Sequence, residues 1–218
     1  MAVNQRCLPL VTASLLTLSL EAGAAQDIDA PARVVVLVDS SIAMSRWTND
    51  FRAGLAALVD KLPPEDEISV VSTGGQLRIR VPPTTDRNKV MTAVSGFFPD
   101  GGGNTFLDSL LEADLRLLKT APDKWPVFVI LTTDSTRSRQ DLDIGLYNRF
   151  LVDFLMRGGK AHAVVISDDP AGQVTAMLAN LTANTRGSYT SMSLAASLVA
   201  KMRDVATFIY LDFQPKVQ

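Results

Sequence analysis

Two runs of the chain are apolar without interruption, Val34-Val-Val-Leu-Val38 after Arg33 and Val127-Phe-Val-Ile-Leu131, and a third, Ala161 to Ile166, is apolar but for His162. Continuous β-branched runs of this length predict strands buried on both faces, as in a parallel sheet covered by helices. Between them lie segments whose apolar residues recur at helical spacing. Trp47 to Leu62 carries Phe51, Leu55, Leu58 and Val59 on one face and ends at Pro63-Pro64, a helix with a clear stop. Further helices are predicted from Thr85-Asp86 to about Phe97, Thr105 to about Thr120, Leu142 to Arg157, Val174 to Leu181, and Leu194 to the region of Phe208.

Glu67 to Ser72 and Gln76 to Val81 are short strand-like runs joined through Thr73-Gly74-Gly75, a hairpin signal. The second alternates, with Leu77, Ile79 and Val81 pointing one way and Arg78 and Arg80 the other. One solvated face implies an antiparallel edge strand. A last short strand is predicted at Gly187 to Thr190. Strands alternating with helices, plus one early hairpin, define an α/β doubly wound, mostly parallel sheet with one antiparallel edge strand and helices on both faces.

Composition narrows the function. The 218 residues are 47% hydrophobic, enough for one buried core. The net charge of −2, with basic residues scattered and aromatics at 6%, argues against a nucleic-acid partner. The single cysteine, Cys7, excludes an intrachain disulfide and a cysteine metal cluster, and the single histidine excludes a multi-histidine zinc site. That histidine, His162, falls within a predicted strand and reads as a satisfied strand residue rather than a catalytic base.

The first residues read as an address. Arg6 supplies a positive start, Leu8 to Leu20 is apolar, and Ala22-Gly23-Ala24-Ala25 offers small residues for cleavage. This is the layout of a signal peptide over residues 1–25, followed by a linker over 26–32 and a domain over 33–215. The apolar run is shorter than the ~20 residues a membrane-spanning helix needs. An exported protein, periplasmic or extracellular, with no span after signal cleavage is expected; retention as an N-terminal anchor is the alternative.

Ligands of open α/β sheets bind beyond the carboxyl ends of the strands, where strand order reverses. Asp39 and Asp134 each close a buried run. Ser41 follows two residues after Asp39, and Thr105 opens a helix behind Gly101-Gly102-Gly103-Asn104. Carboxylates and hydroxyls around one point suit a hard cation such as Mg²⁺ or Mn²⁺.

These segments resemble the von Willebrand factor type A domain. Val34 to Met44, with Asp39-Ser40-Ser41, is similar to its first motif, an apolar strand followed by Asp-x-Ser-x-Ser. Gly103-Asn-Thr105-Phe-Leu107-Asp108 is similar to its threonine loop, and Val129-Ile-Leu-Thr-Thr-Asp134 to its aspartate loop. The closing Phe208 to Pro215 is similar to the end of the bacterial branch. The resemblance implies a metal-ion-dependent adhesion site with Asp39, Ser41, Thr105 and Asp134 as its metal positions, and a non-enzymatic module that binds a protein partner through an acidic residue at the metal. The family's second serine is Ala43 here, so one hydroxyl is missing, and Ser135 replaces the glycine usual after the last aspartate.

Simpler roles are open for each residue. Thr105 with Asp108 fits a capping box, Asp39-Ser40-Ser41 a polar turn, Gly101 to Gly103 a plain linker, and Trp47 a core anchor. A metal-free interaction domain is one alternative. A haloacid-dehalogenase-type phosphatase is another, with Asp39, Thr132 or Thr133, Lys160 and Ser167-Asp168-Asp169 in the corresponding places. In that pattern Ser41 stands where the general acid belongs.

Overall fold

The structure is a computed structural model that describes residues 30–134, 143–167 and 172–213. The signal segment, most of the linker, Ser135 to Arg139 and Asp168-Asp169 lie outside the described residues.

Six strands form one sheet in the order β3-β2-β1-β4-β5-β6. They are β1 Ala32–Val38, β2 Glu67–Ser72, β3 Arg78–Thr84, β4 Trp125–Asp134, β5 Lys160–Ser167 and β6 Tyr189–Met192. All neighbours run parallel except β2 and β3, so the expected antiparallel edge is present. The helices are α1 Thr48–Lys61, α2 Arg87–Ser95, α3 Phe106–Ala113, α4 Ile144–Met156, α5 Gln173–Thr185 and α6 Leu198–Asp212. No helix among the described residues is long and apolar enough to cross a membrane.

The uninterrupted apolar strands are explained by burial on both sides. Val34, Val36 and Val38 join a core with Phe51, Leu55 and Leu58 of α1, Val90 and Val94 of α2, and Leu198 and Met202 of α6. Val35 and Leu37 join a second core with Leu110 of α3, Phe150 and Phe154 of α4, and Leu178 of α5. Fully burying one such side chain stabilises by roughly 1.5–3 kcal/mol, so these two layers hold the sheet between its helices.

Two expectations need correction. The helix begun at Thr105 does not run regularly to Thr120: α3 ends at Ala113 and widens into a π-helical turn, Asp114–Leu118, closed by Lys119 N–H donating to Asp114 O at 2.9 Å. The buried Asp114 carboxylate there accepts two 2.8 Å hydrogen bonds from Arg157.

The alternation along β3 is also broken. Val70 pairs with Val81 but Val71 pairs with Ile79, so Arg80 is an extra residue in the ladder. Such a bulge turns the following side chain to the other face. Val81 therefore enters the α1 side, whereas Leu77 and Ile79 pack on the α3 side. Arg80 does not face solvent; its side chain is 19% exposed and pairs with Asp100.

Candidate functional site

Strand order places the site. β1 lies between β2 and β4, and the chain goes first to one side and then crosses to the other, so the switch point falls between the carboxyl ends of β1 and β4. Asp39 leaves β1 there, its N–H donating to Leu131 O at 2.8 Å, and Asp134 is the last residue of β4.

Asp39 is 1% exposed. Its Oδ1 accepts the N–H of Ser41 at 2.8 Å. Its Oδ2 accepts the N–H of Thr133 at 3.0 Å and also the Thr133 hydroxyl. A carboxylate has about four lone-pair directions; both on Oδ2 are used, which leaves Oδ1 the open atom. Beside it, Ser41 is fully buried, and its Oγ has no hydrogen-bond partner among the described residues. A buried hydroxyl without a partner costs free energy, and the backbone N–H of the same residue bonds the Asp39 carboxylate.

The other two candidates are engaged. Thr105 Oγ1 donates to Thr73 O at 2.9 Å and contacts Ser109 Oγ at 3.1 Å. A hydroxyl that gives its proton to a carbonyl keeps lone pairs for a cation. The expected capping box is not formed, because no side-chain cap bond reaches the start of α3 from Thr105. Asp134 Oδ2 accepts the N–H of Thr175 at 2.7 Å, at the amino end of α5. The structure thus brings Asp39 and Ser41 directly together, while Thr105 and Asp134 border the same strand ends through bonds of their own. Oxygen donors alone suit a hard divalent cation, and the unpartnered Ser41 Oγ fits one. Among the described residues no three of His, Cys, Asp and Glu gather as a metal group.

The Gly101-to-Gly103 loop is not a plain linker. Gly101 and Gly102 have φ of 84° and 71°, and the loop hydrogen-bonds the first motif: Ile42 N–H donates to Gly102 O at 3.2 Å and Gly101 N–H to Ser40 O at 3.3 Å. Asn104 is 3% exposed. Its Oδ1 accepts the Thr73 hydroxyl at 2.7 Å and its Nδ2 donates to Thr132 Oγ1 at 2.8 Å. Sequence reasoning gave no role of their own to Ser40, Ser72 and Asp100. Trp47 is half-buried against the core, with the Arg46 guanidinium 4.7 Å from its ring centre.

Of the phosphatase constellation, Thr133 meets Asp39 but Lys160 does not. Lys160 pairs with Val127 near the start of β4, far from Asp134 at its end, and its ammonium bonds Asp212 at 2.7 Å. Lys160 and Asp39 occupy opposite ends of the sheet. His162 is a core residue: Ser188 N–H donates to its Nδ1 at 3.1 Å, and burial holds the imidazole down at about 4.

A doubly wound domain with buried oxygen donors at its switch point defines the class. Residues 34–136 match the family model of the von Willebrand factor type A domain, and the fold is that of such a domain. Its fold is similar to a von Willebrand factor type A protein from Catenulispora acidiphila, at 16% identity and a TM-score of 0.69 over 83% of this chain and 43% of that one. It is similar to a conserved hypothetical protein, BatB, from Bacteroides thetaiotaomicron, at 12% identity and 0.63 over 83% and 99%. Proximal thread matrix protein 1 from the mussel byssus, in a structure with a zinc-occupied metal-ion-dependent adhesion site, is similar at 16% identity and 0.65 over 84% and 47%. The chain spans less than half the length of the Catenulispora and mussel proteins. No curated protein matches it in sequence.

Proposed function

We propose that this domain is an exported interaction module that captures an acidic group of a protein partner through a divalent cation, Mg²⁺ or Mn²⁺. Domains of this family are typically interaction modules. The observation that carries the reading is the Ser41 hydroxyl, fully buried and without a partner among the described residues, in the residue whose N–H bonds Oδ1 of Asp39. Asp39 and Ser41 contribute the inner donors; Thr105 and Asp134 complete the set. Ala43 contributes nothing, so an octahedral ion keeps positions for water or for a partner's carboxylate. The surrounding surface includes Ile42, 59% exposed, and Arg46. At this end the glycine loop supplies backbone rather than side chains. The small-residue stretch before Gln26 supports export, with a mature protein starting near Gln26 outside the cytoplasm.

A metal-free interaction domain is the second reading, favoured by the engagement of Asp134 with α5 and by Ala43. Metal analysis of the mature protein, with capture of exported proteins in Mg²⁺ and in chelator, separates the two. Capture that is lost in chelator and lost in Ser41→Ala supports the metal bridge; capture indifferent to both leaves the metal-free domain. Intact mass of the exported form, beginning near Gln26 or at Met1, tests export.

A further inference from the structure

A second polar cluster lies directly behind the site. Asp100, whose side chain is 1% exposed, precedes the glycine loop. Its Oδ2 accepts the hydroxyls of Ser40 at 2.7 Å and Ser72 at 2.9 Å. Its Oδ1 pairs with Arg80, and with Arg78 at 3.3 Å. Its own N–H donates to Ser40 O at 2.8 Å. Each hydroxyl is used twice: Ser40 Oγ also accepts from Gly74 N–H at 2.8 Å, and Ser72 Oγ from Arg80 Nε at 2.9 Å. The Arg80 guanidinium also lies 5.0 Å from the Phe98 ring centre. The bulge in β3 aims it there.

The bonds converge on one peptide. Ser40 stands between Asp39 and Ser41, and it is gripped through its hydroxyl by Asp100 and Gly74 and through its carbonyl by Asp100 and Gly101. Gly74 approaches so closely that a Cβ there would sit 2.6 Å from Ser40 O. The same loop leads to Thr105, whose N–H bonds Thr73 O at 3.0 Å.

We propose that Asp100, oriented by Arg80, is a positioning residue that fixes the Asp39-Ser40-Ser41 turn against the glycine loop leading to Thr105. It touches neither the proposed cation nor the partner. It sets the separation between the donors on β1 and the donor at the start of α3, and in its bearing on metal it rests on the reading given above. Burial alone would raise the Asp100 carboxyl, but hydrogen bonds from Ser40, Arg80 and Ser72 outweigh it and hold the group below the ordinary value, so it acts as a charged acceptor. An amide cannot replace it, since accepting both serine hydroxyls and pairing with both arginines requires four acceptor directions.

The test compares Asp100→Asn and Ser40→Ala with Asp114→Asn, which alters an equally buried, arginine-paired aspartate beside the end of α4. In metal-free protein, hydrogen exchange should accelerate at the Ile42, Gly74 and Gly101 amides in the first two variants, with β5 unchanged, and not in Asp114→Asn. Mn²⁺ titration of the same proteins should show affinity lowered roughly 10- to 100-fold in the first two, the usual effect of disturbing residues behind a metal's ligands, and unchanged in the third. If Asp100→Asn does not fold, Ser40→Ala carries both readouts. Exchange at those amides no faster than in Asp114→Asn overturns the proposal. Wild-type protein that binds no Mn²⁺ overturns the metal reading instead, and the exchange result alone then decides the positioning role.

Discussion

The carboxylate of Asp134, at the end of β4, accepts the N–H of Thr175 at 2.7 Å. The residue capping α5 is Gly172, which has no side chain to offer, so an aspartate from another strand satisfies a backbone donor at the helix start and places negative charge against the positive end of its dipole. A Cβ on Gly172 would lie 2.1 Å from Asp134 Oδ2. Asp134→Ala should therefore destabilise the protein by about 1 kcal/mol through the lost cap, with or without metal. Gly172→Ala should cost at least as much by displacing the carboxylate, and the double variant should cost less than the sum, as expected of residues acting through one contact. Denaturant melts in chelator check this; full additivity would show that the two do not share the contact.

Asn104 gives a second expectation. It is the buried link between the Thr73 and Thr132 hydroxyls, and Thr132 in turn donates to Thr133 O at 3.2 Å, the residue that holds Asp39. Asn104→Ala strands the Thr73 hydroxyl and takes a donor from Thr132, and a buried polar group left unsatisfied costs about 1–3 kcal/mol. Loss of stability of that order in chelator, accompanied by weaker Mg²⁺ stabilisation, is the expected pair of results. A change in neither melt would mean that the link is dispensable.

Much of this was legible in the chain. β1, β4 and β5 announced themselves because both faces of each strand are apolar, and Asp39 and Asp134 followed as the residues at their carboxyl ends. The hidden parts depend on long-range contacts. Arg78 and Arg80 alternate with apolar neighbours as solvent-facing residues do, and only the bulge and the distant Asp100 reveal that Arg80 is inward. Ser40 filled an unspecified place in the motif, and its bonds to Asp100 span 60 positions of sequence. The Thr105-to-Asp108 spacing fits a cap, yet the hydroxyl finds Thr73 O instead. The glycines before Asn104 carried a signal of tight packing that composition alone rendered as a loop.

The pH dependence should contain two opposing contributions. Burial holds His162 down at about 4, with Asp212 raising and Lys160 lowering it further, against an unfolded value of 6.5. Between those values the unfolded chain binds the extra proton, so this group's stability contribution is lost as pH falls from 6.5 towards 4. Burial raises Asp66 to about 6 from 3.8, although the Ala32 N–H bond opposes it. There the folded protein binds the extra proton, and stability is gained as pH falls through 6 towards 3.8. Each slope is at most about 1.4 kcal/mol per pH unit, and between pH 4 and 6 they oppose each other. Relative to wild type, His162→Gln should gain stability on acidification and Asp66→Asn should lose it. Parallel pH profiles for all three proteins would contradict both assignments.

The sharpest test uses Ser41, because its two expected effects have opposite signs. Its hydroxyl is fully buried and unpartnered among the described residues, so in chelator Ser41→Ala removes an unsatisfied polar atom and should leave the melting temperature equal or higher. In Mg²⁺ or Mn²⁺ the same change removes a donor. Wild type should then gain about 2.7 kcal/mol at a free ion concentration ~100 times its dissociation constant, and Ser41→Ala should gain much less. Ala43→Ser supplies the hydroxyl that the motif lacks and should shift the metal titration to lower concentration. A variant that merely damaged packing would lower both melts together. Wild type and Ser41→Ala that melt alike in metal and in chelator would instead show that the buried hydroxyl serves no cation, and the interaction surface would have to work by contact alone.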